Sequence, residues 1–168
     1  MVLSQQNLDD YSRYIIAWKL CTNMRTENVT DTLDSALEAS GCDQVHVVHN
    51  PRLLSDNGSS HVSGDLADWL NGNGMKHSRG SPYHPQIQGK IERWHQTFKN
   101  RILFGNYFMP CDLEAQIEAF VDHYNHQLFH KSLKNVASLD VYFGRDKAIL
   151  QQRERIKRKN SRSTALAS

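Results

Sequence analysis

The sequence predicts a layered α/β fold: strand-like and helix-like stretches alternate, several helical stretches carry an apolar stripe, and Gly- or Pro-rich turns separate them. With 168 residues, 39% of them hydrophobic, the chain fits one compact unit with a modest core. That unit is placed at 1–150, followed by a basic, polar tail at 151–168.

Residues 11–20, YSRYIIAWKL, are aromatic and β-branched and predict a strand, with Tyr14, Ile16 and Trp18 alternating against Ile15 and Ala17. From 27 to 39, Val29, Leu33, Ala36 and Leu37 recur at helical spacing, and Gly41 offers the stop. The apolar run 45–48 leads into a buried strand at 52–55, which passes directly into Asp56-Asn57-Gly58; Asp56 is therefore expected where a strand ends in a turn. Ser63 is placed to cap a helix through Leu70, with Asp65 in its first turn, and 75–79 reads as a short strand. Two prolines and two glycines in 80–89 predict an exposed, mobile loop. Residues 90–103 are helical in pattern, with an earlier start from Gln86 left open, and Leu113, Ile117, Phe120, Tyr124 and Leu128 stripe a further helix. A last helix is expected over 139–156, with 157–168 polar and frayed.

Composition excludes several classes. No apolar run approaches the roughly 20 residues of a membrane-spanning helix, and the start lacks the basic-then-apolar order of a signal peptide. A bacterial cytoplasmic, nucleoid-associated location with no membrane partner is the expectation. Cys21, Cys42 and Cys111 form no CxxC pair and read as small buried thiols. A net charge of +2 identifies no partner, but its distribution is uneven. Between 76 and 101 the cations Lys76, Arg79, Lys90, Arg93, Lys99 and Arg101 meet a single acid, Glu92.

Asp56 and Glu92 enclose 35 residues, one at a strand end and the other early in a helix. Two carboxylates on rigid elements can share Mg²⁺, which takes few protein oxygens and leaves positions for water and phosphate. As ligands of shared metal their oxygens should lie within roughly 4–6 Å of one another. Spacing alone is weak evidence, since any chain offers many such pairs. The neighbours add more: SDNGSS at 55–60 and YHPQIQGKIERWHQTFKNR at 83–101 resemble the second and third catalytic blocks of insertion-sequence transposases related to retroviral integrases. The likeness continues through DDYSR at 9–13 and HYNHQLFHKSLKNVASLDVYFG at 123–144.

The resemblance implies a ribonuclease-H-like mixed sheet flanked by helices, acting in DNA transposition or integration. It implies a D, D-35-E triad holding two Mg²⁺ (or Mn²⁺) ions, with Asp56 the second aspartate and Glu92 the glutamate. Phosphoryl transfer would then proceed without a covalent protein intermediate, on metals about 4 Å apart. Tyr83, His84, Gln88, Lys90, Arg93, His95, Lys99 and Arg101 would face DNA, and the protein would form a homo-oligomer on the transposon ends and target. Lys99, seven residues after Glu92, matches the basic position the family sets against the transposon end. Seven residues are about two helical turns, so both side chains share one face.

Three departures stand out. Ile87 occupies a position where the family favours a small hydroxylated residue, and Ser138 one where it often has proline. The family also carries its first aspartate on an opening strand a dozen or more residues ahead of DDYSR, whereas eight residues precede Asp9 here. The fold is therefore expected to lack its first strand, which in a ribonuclease-H-like sheet lies between the second strand and the one ending at Asp56. The start VLSQQN is polar for a buried strand. Either Asp9 or Asp10 substitutes for the missing ligand, or they form a turn held by Arg13. The readings left open are an active catalytic core, an inactive fragment that binds DNA or a full-length partner, and a remnant.

Other residues have plainer readings. His123, His126 and His130, at i, i+3 and i+7 of one helix, lack an acid or thiol to complete a zinc site and read as a solvated or DNA-facing stripe. Trp69 and Trp94 read as core or its rim. The tail cations Arg153, Arg155, Lys157, Arg158, Lys159 and Arg162 fit phosphate contacts or a solvated helix end equally well.

Overall fold

The computed structural model describes residues 3–23, 25–42, 51–55, 58–79, 85–102 and 110–166. They divide into two compact units, one of Met1–Leu8 and Ile15–Ile117 and one of Asp9–Tyr14 and Glu118–Ser168.

In the first unit β1 (Leu3–Leu8) pairs antiparallel with β2 (Ile15–Cys21), from Leu3 opposite Cys21 to Leu8 opposite Ile15. The polar start of the chain is thus a strand, and β2 begins four residues later than its aromatic composition suggests. Tyr11 is exposed, and Ile15, Ala17 and Cys21 are the buried positions of β2. Helix α1 (Thr26–Ser40) ends at Gly41, whose φ of 68° is left-handed and costs an L side chain about 1–2 kcal/mol. Asn7 donates its side-chain N–H to the Thr32 carbonyl at 2.8 Å, tying β1 to α1.

Strand β3 (Arg52–Ser55) runs parallel to β4 (Lys76–Arg79), and the crossover between them holds α2 (Ser59–Val62) and α3 (Gly64–Gly72). Parallel strands require such a crossover. The Ser63 hydroxyl accepts the Leu66 N–H at 3.3 Å, the predicted cap. Val29 and Leu33 of α1 pack with Leu66 and Leu70 of α3 and with Met75 into the core, joined by half-buried Leu37, Leu53 and Trp69. Burying a side chain of this size contributes about 1.5–3 kcal/mol. Helix α4 (Pro85–Ile102) starts five residues before Lys90. Residues 85–89 of the predicted loop are therefore helical, because proline is tolerated in a first turn; 80–84 and the apolar run 45–48 lie outside the described residues.

Helix α5 (Pro110–His126) buries Ile117, Phe120 and Tyr124 of the predicted stripe. In the second unit β5 (Phe129–His130) and β6 (Val136–Ala137) form a short antiparallel pair around a 3-10 turn. His130 lies in β5, so the three histidines do not share one helix. His126 binds Asp122, His123 binds Gln127, and His130 packs edge-on to Tyr124. The last helical region is broken: α6 (Ser138–Tyr142) stops before Gly144, at φ 70°, and α7 (Asp146–Leu166) continues through the stretch expected to be frayed. Arg, Lys, Gln and Glu are strong helix formers, which a reading based on polarity undervalues.

The described strands pair two by two, β1 with β2 and β5 with β6 antiparallel and β3 with β4 parallel. Cys21 is buried, Cys42 half-buried and Cys111 exposed, so the thiols do not share one environment. Among the described residues no helix is long and apolar enough to cross a membrane.

Candidate active site

Helix α4 is two-faced. Trp94 and Ile102 are buried and Phe98 is half-buried, at i, i+4 and i+8, and the Trp94 and Phe98 rings lie 5.7 Å apart. At about 100° per residue, Glu92 and Lys99 fall within about 20° of each other, and roughly 100–120° around the axis from the centre of that stripe. Both are exposed, with their backbones about 10.5 Å apart along the axis. Packing of that stripe therefore leaves a carboxylate and an ammonium together on an exposed flank of the helix.

No hydrogen bond or ion pair joins Glu92 to another described residue, and its side chain is exposed. Arg93 is exposed, and its carbonyl accepts the Thr97 hydroxyl at 2.7 Å. His95 is half-buried, with Nδ1 3.4 Å from the Gln6 amide nitrogen, a long contact. It thus leans toward β1. Gln88, Lys90 and Arg101 are placed on α4 by its backbone.

Asp56, Tyr83 and His84 lie outside the described residues. What is described is the strand leading to Asp56: β3 ends at the preceding residue, Ser55, which is buried and pairs across the ladder with exposed Arg79. Ser55 Oγ and His77 Nε2 share a hydrogen bond of 2.8 Å. Burial, then the nearby Arg79 and His61, pushes the His77 pKa below its ordinary value, which favours the neutral ring that this contact uses. Sequence reasoning missed this pair, because a parallel register cannot be read from one strand; the alternating His77 and Arg79 were the available signal.

Asp9 Oδ2 accepts both the backbone N–H (2.7 Å) and the hydroxyl (2.6 Å) of Ser12, and the Arg13 N–H donates to the Asp9 carbonyl at 2.8 Å. The aspartate closes a turn, and it is Ser12 that holds its carboxylate where Arg13 was expected. No group of three or more His, Cys, Asp or Glu side chains that could hold a metal occurs among the described residues.

Two family models, both described as integrase core domain, match residues 6–85 and 73–137. The Gag-Pro-Pol polyprotein of squirrel monkey retrovirus is 38% identical over 64 residues, covering 34% of this chain and 3% of the polyprotein. That of mouse mammary tumor virus (strain BR6) is 28% identical over 122 residues, covering 70% of this chain and 6% of the polyprotein. The chain thus spans only a few per cent of these relatives' length. The catalytic core domain of BIV integrase superposes with a TM-score of 0.63 at 16% identity, over 89% of this chain and 90% of that one. A chain of the simian T-cell lymphotropic virus intasome, solved with a PP2A regulatory subunit, gives 0.65 at 15% identity, over 83% of this chain and 47% of that one. The fold is the ribonuclease-H-like fold of integrase catalytic cores, and the chain belongs to the family of retroviral-type integrase and transposase cores.

Proposed function

We infer that this chain acts on DNA, in integration or transposition of an insertion-sequence type, with Asp56 and Glu92 as two of the carboxylates of a divalent-metal site. The observation that carries this is the exposed flank of α4, where Glu92 and Lys99 are set about two turns apart beside a buried Trp94–Ile102 stripe. Oxygen donors of this type suit Mg²⁺ or Mn²⁺. Bound there, the metal would supply Lewis-acid activation of the attacking oxygen and stabilisation of the leaving one.

The side chains do the positioning. Lys99 holds a backbone phosphate on the Glu92 side of the helix, and Arg93 and Arg79 add positive charge that attracts the strand without reading its sequence. Tyr83, His84, Gln88, Lys90, His95 and Arg101 complete the DNA-facing set by resemblance. The intasome likeness supports assembly of several copies on DNA. These residues by themselves provide two of the three carboxylates that the family's chemistry uses, and Asp9 is occupied by Ser12. Metal-dependent cleavage by the 168 residues alone is therefore negligible, and DNA binding alone is the alternative activity.

Nicking of supercoiled plasmid in Mn²⁺ tests this without knowledge of the cognate ends. The chain alone should not nick, a version extended by a family-like strand bearing an aspartate should, and Glu92→Gln in the extended version should not. Nicking by the unextended chain that Asp9→Asn or Asp10→Asn abolishes would place the whole triad within these residues and overturn the assignment.

A further inference from the structure

Helix α7 has no role in the reading above, and its charge is segregated. It carries Lys147, Arg153, Arg155, Lys157, Arg158, Lys159 and Arg162 against only Asp146 and Glu154, while the whole chain nets +2. A face built for solubility mixes signs evenly, whereas here cations far outnumber acids.

The helix is also anchored near its start, and its middle is exposed. Arg153 donates to the carbonyls of Lys134 (3.3 Å) and Asn135 (2.8 Å), two residues whose left-handed backbone, φ 55° and 57°, aims both oxygens at one guanidinium. Ile149 and Leu150 are half-buried, but every residue from 151 to 161 is exposed, including Ile156 at 51%. A helix stretch that is polar all round and exposed gains little from burial of its own side chains. Its internal support is an i,i+4 pair, Glu154 with Arg158 at 3.1 Å, worth about 0.3–0.5 kcal/mol. Around the axis Arg155, Arg158 and Lys159 fall within about 100° of one another, on the side away from Arg153 and Ile156, and position 162 continues the row.

We propose that the outer face of α7, Arg155, Arg158 and Lys159 with Arg162 next in register, is a second DNA-binding element that grips the phosphate backbone of duplex DNA. A row of cations on a rigid helix suits the most densely charged of common polyanions, about one charge per 1.7 Å of duplex axis. Docking of the helix base by Arg153 sets the direction in which the row projects. The proposal deepens the DNA reading but needs neither Asp56 nor Glu92.

The test is fluorescence anisotropy of the full chain with a labelled duplex of mixed sequence in EDTA, repeated across salt concentrations. The triple variant Arg155→Gln, Arg158→Gln, Lys159→Gln keeps helix-forming side chains. It should bind on the order of tenfold or more weakly at low salt, with a log–log salt slope shallower by about 2–3. A control triple, Arg25→Gln, Arg52→Gln, Lys131→Gln, removes the same charge from exposed positions elsewhere and should bind nearly as the parent does. Exchanging the three for the other cation (Arg155→Lys, Arg158→Lys, Lys159→Arg) should restore the slope, and circular dichroism checks the helix in each. Parental affinity and slope in the Gln triple, or an equal loss in the control, overturns the proposal. Failure of the metal-site reading would appear in the nicking assay and leave these slopes unchanged.

Discussion

Two residues of α4, two positions apart, should separate chemistry from stability. Glu92 is exposed and engages no other described side chain, so Glu92→Gln should change unfolding free energy by no more than about 0.5 kcal/mol, the usual range for a surface substitution. Trp94 is 3% exposed with its ring 5.7 Å from that of Phe98, so Trp94→Ala removes a large buried aromatic and leaves a cavity. The expected loss is about 3–5 kcal/mol, a large fraction of a domain's typical stability of about 5–15 kcal/mol. Urea unfolding followed by circular dichroism measures both. Mn²⁺ binding, read by water proton relaxation, should fall in Glu92→Gln while its unfolding curve overlays the parent's. A Glu92→Gln curve displaced by more than about 1 kcal/mol would mean that the carboxylate has a structural partner and is not free for a metal. A mild Trp94→Ala would mean that the Glu92–Lys99 face is not set by packing beneath it.

Ser138 is the first residue of α6, fully buried, and its hydroxyl has no hydrogen-bond partner among the described residues. Ala137 before it is extended at ψ 149°, as a residue preceding proline must be, so Ser138→Pro should raise stability by about 0.4–1 kcal/mol, seen as a higher thermal midpoint. His77 has a folded pKa below its unfolded value, so its contribution is present above about pH 6.5 and is lost as pH falls through the folded pKa. Urea midpoints should therefore decline below about pH 6.5, and less steeply in His77→Asn, which keeps a polar partner for Ser55 but does not titrate. Among the thiols, Cys111 should react first with a disulfide reagent and Cys21 last, because burial both shields the Cys21 thiol and pushes its pKa up.

Much of this was legible in the sequence. Short-range rules found the α1 stop at Gly41 and the Ser63 cap, since each depends on the conformational range or hydrogen-bonding reach of one residue near its own backbone. Helical periodicity alone puts Glu92 and Lys99 on one face of α4. Short-range rules misjudged elements where propensity and polarity conflict: the polar β1, held by its pairing with β2, and the charged α7, formed by strong helix-forming side chains.

What the sequence by itself determined is the family, through its spaced motifs, and the local geometry of elements whose rules operate within a few residues. Tertiary structure alone decided that β3 and β4 pair in parallel, that His77 reaches Ser55, that Ser12 occupies Asp9, that Cys21 rather than Cys111 is buried, and that Arg153 docks α7 on a left-handed pair of residues. Apart from the Asp9–Ser12 turn, these contacts join or enclose residues far apart in the chain. Their free energy depends on which partner the fold brings within hydrogen-bonding or packing distance, and no single stretch of sequence carries that information.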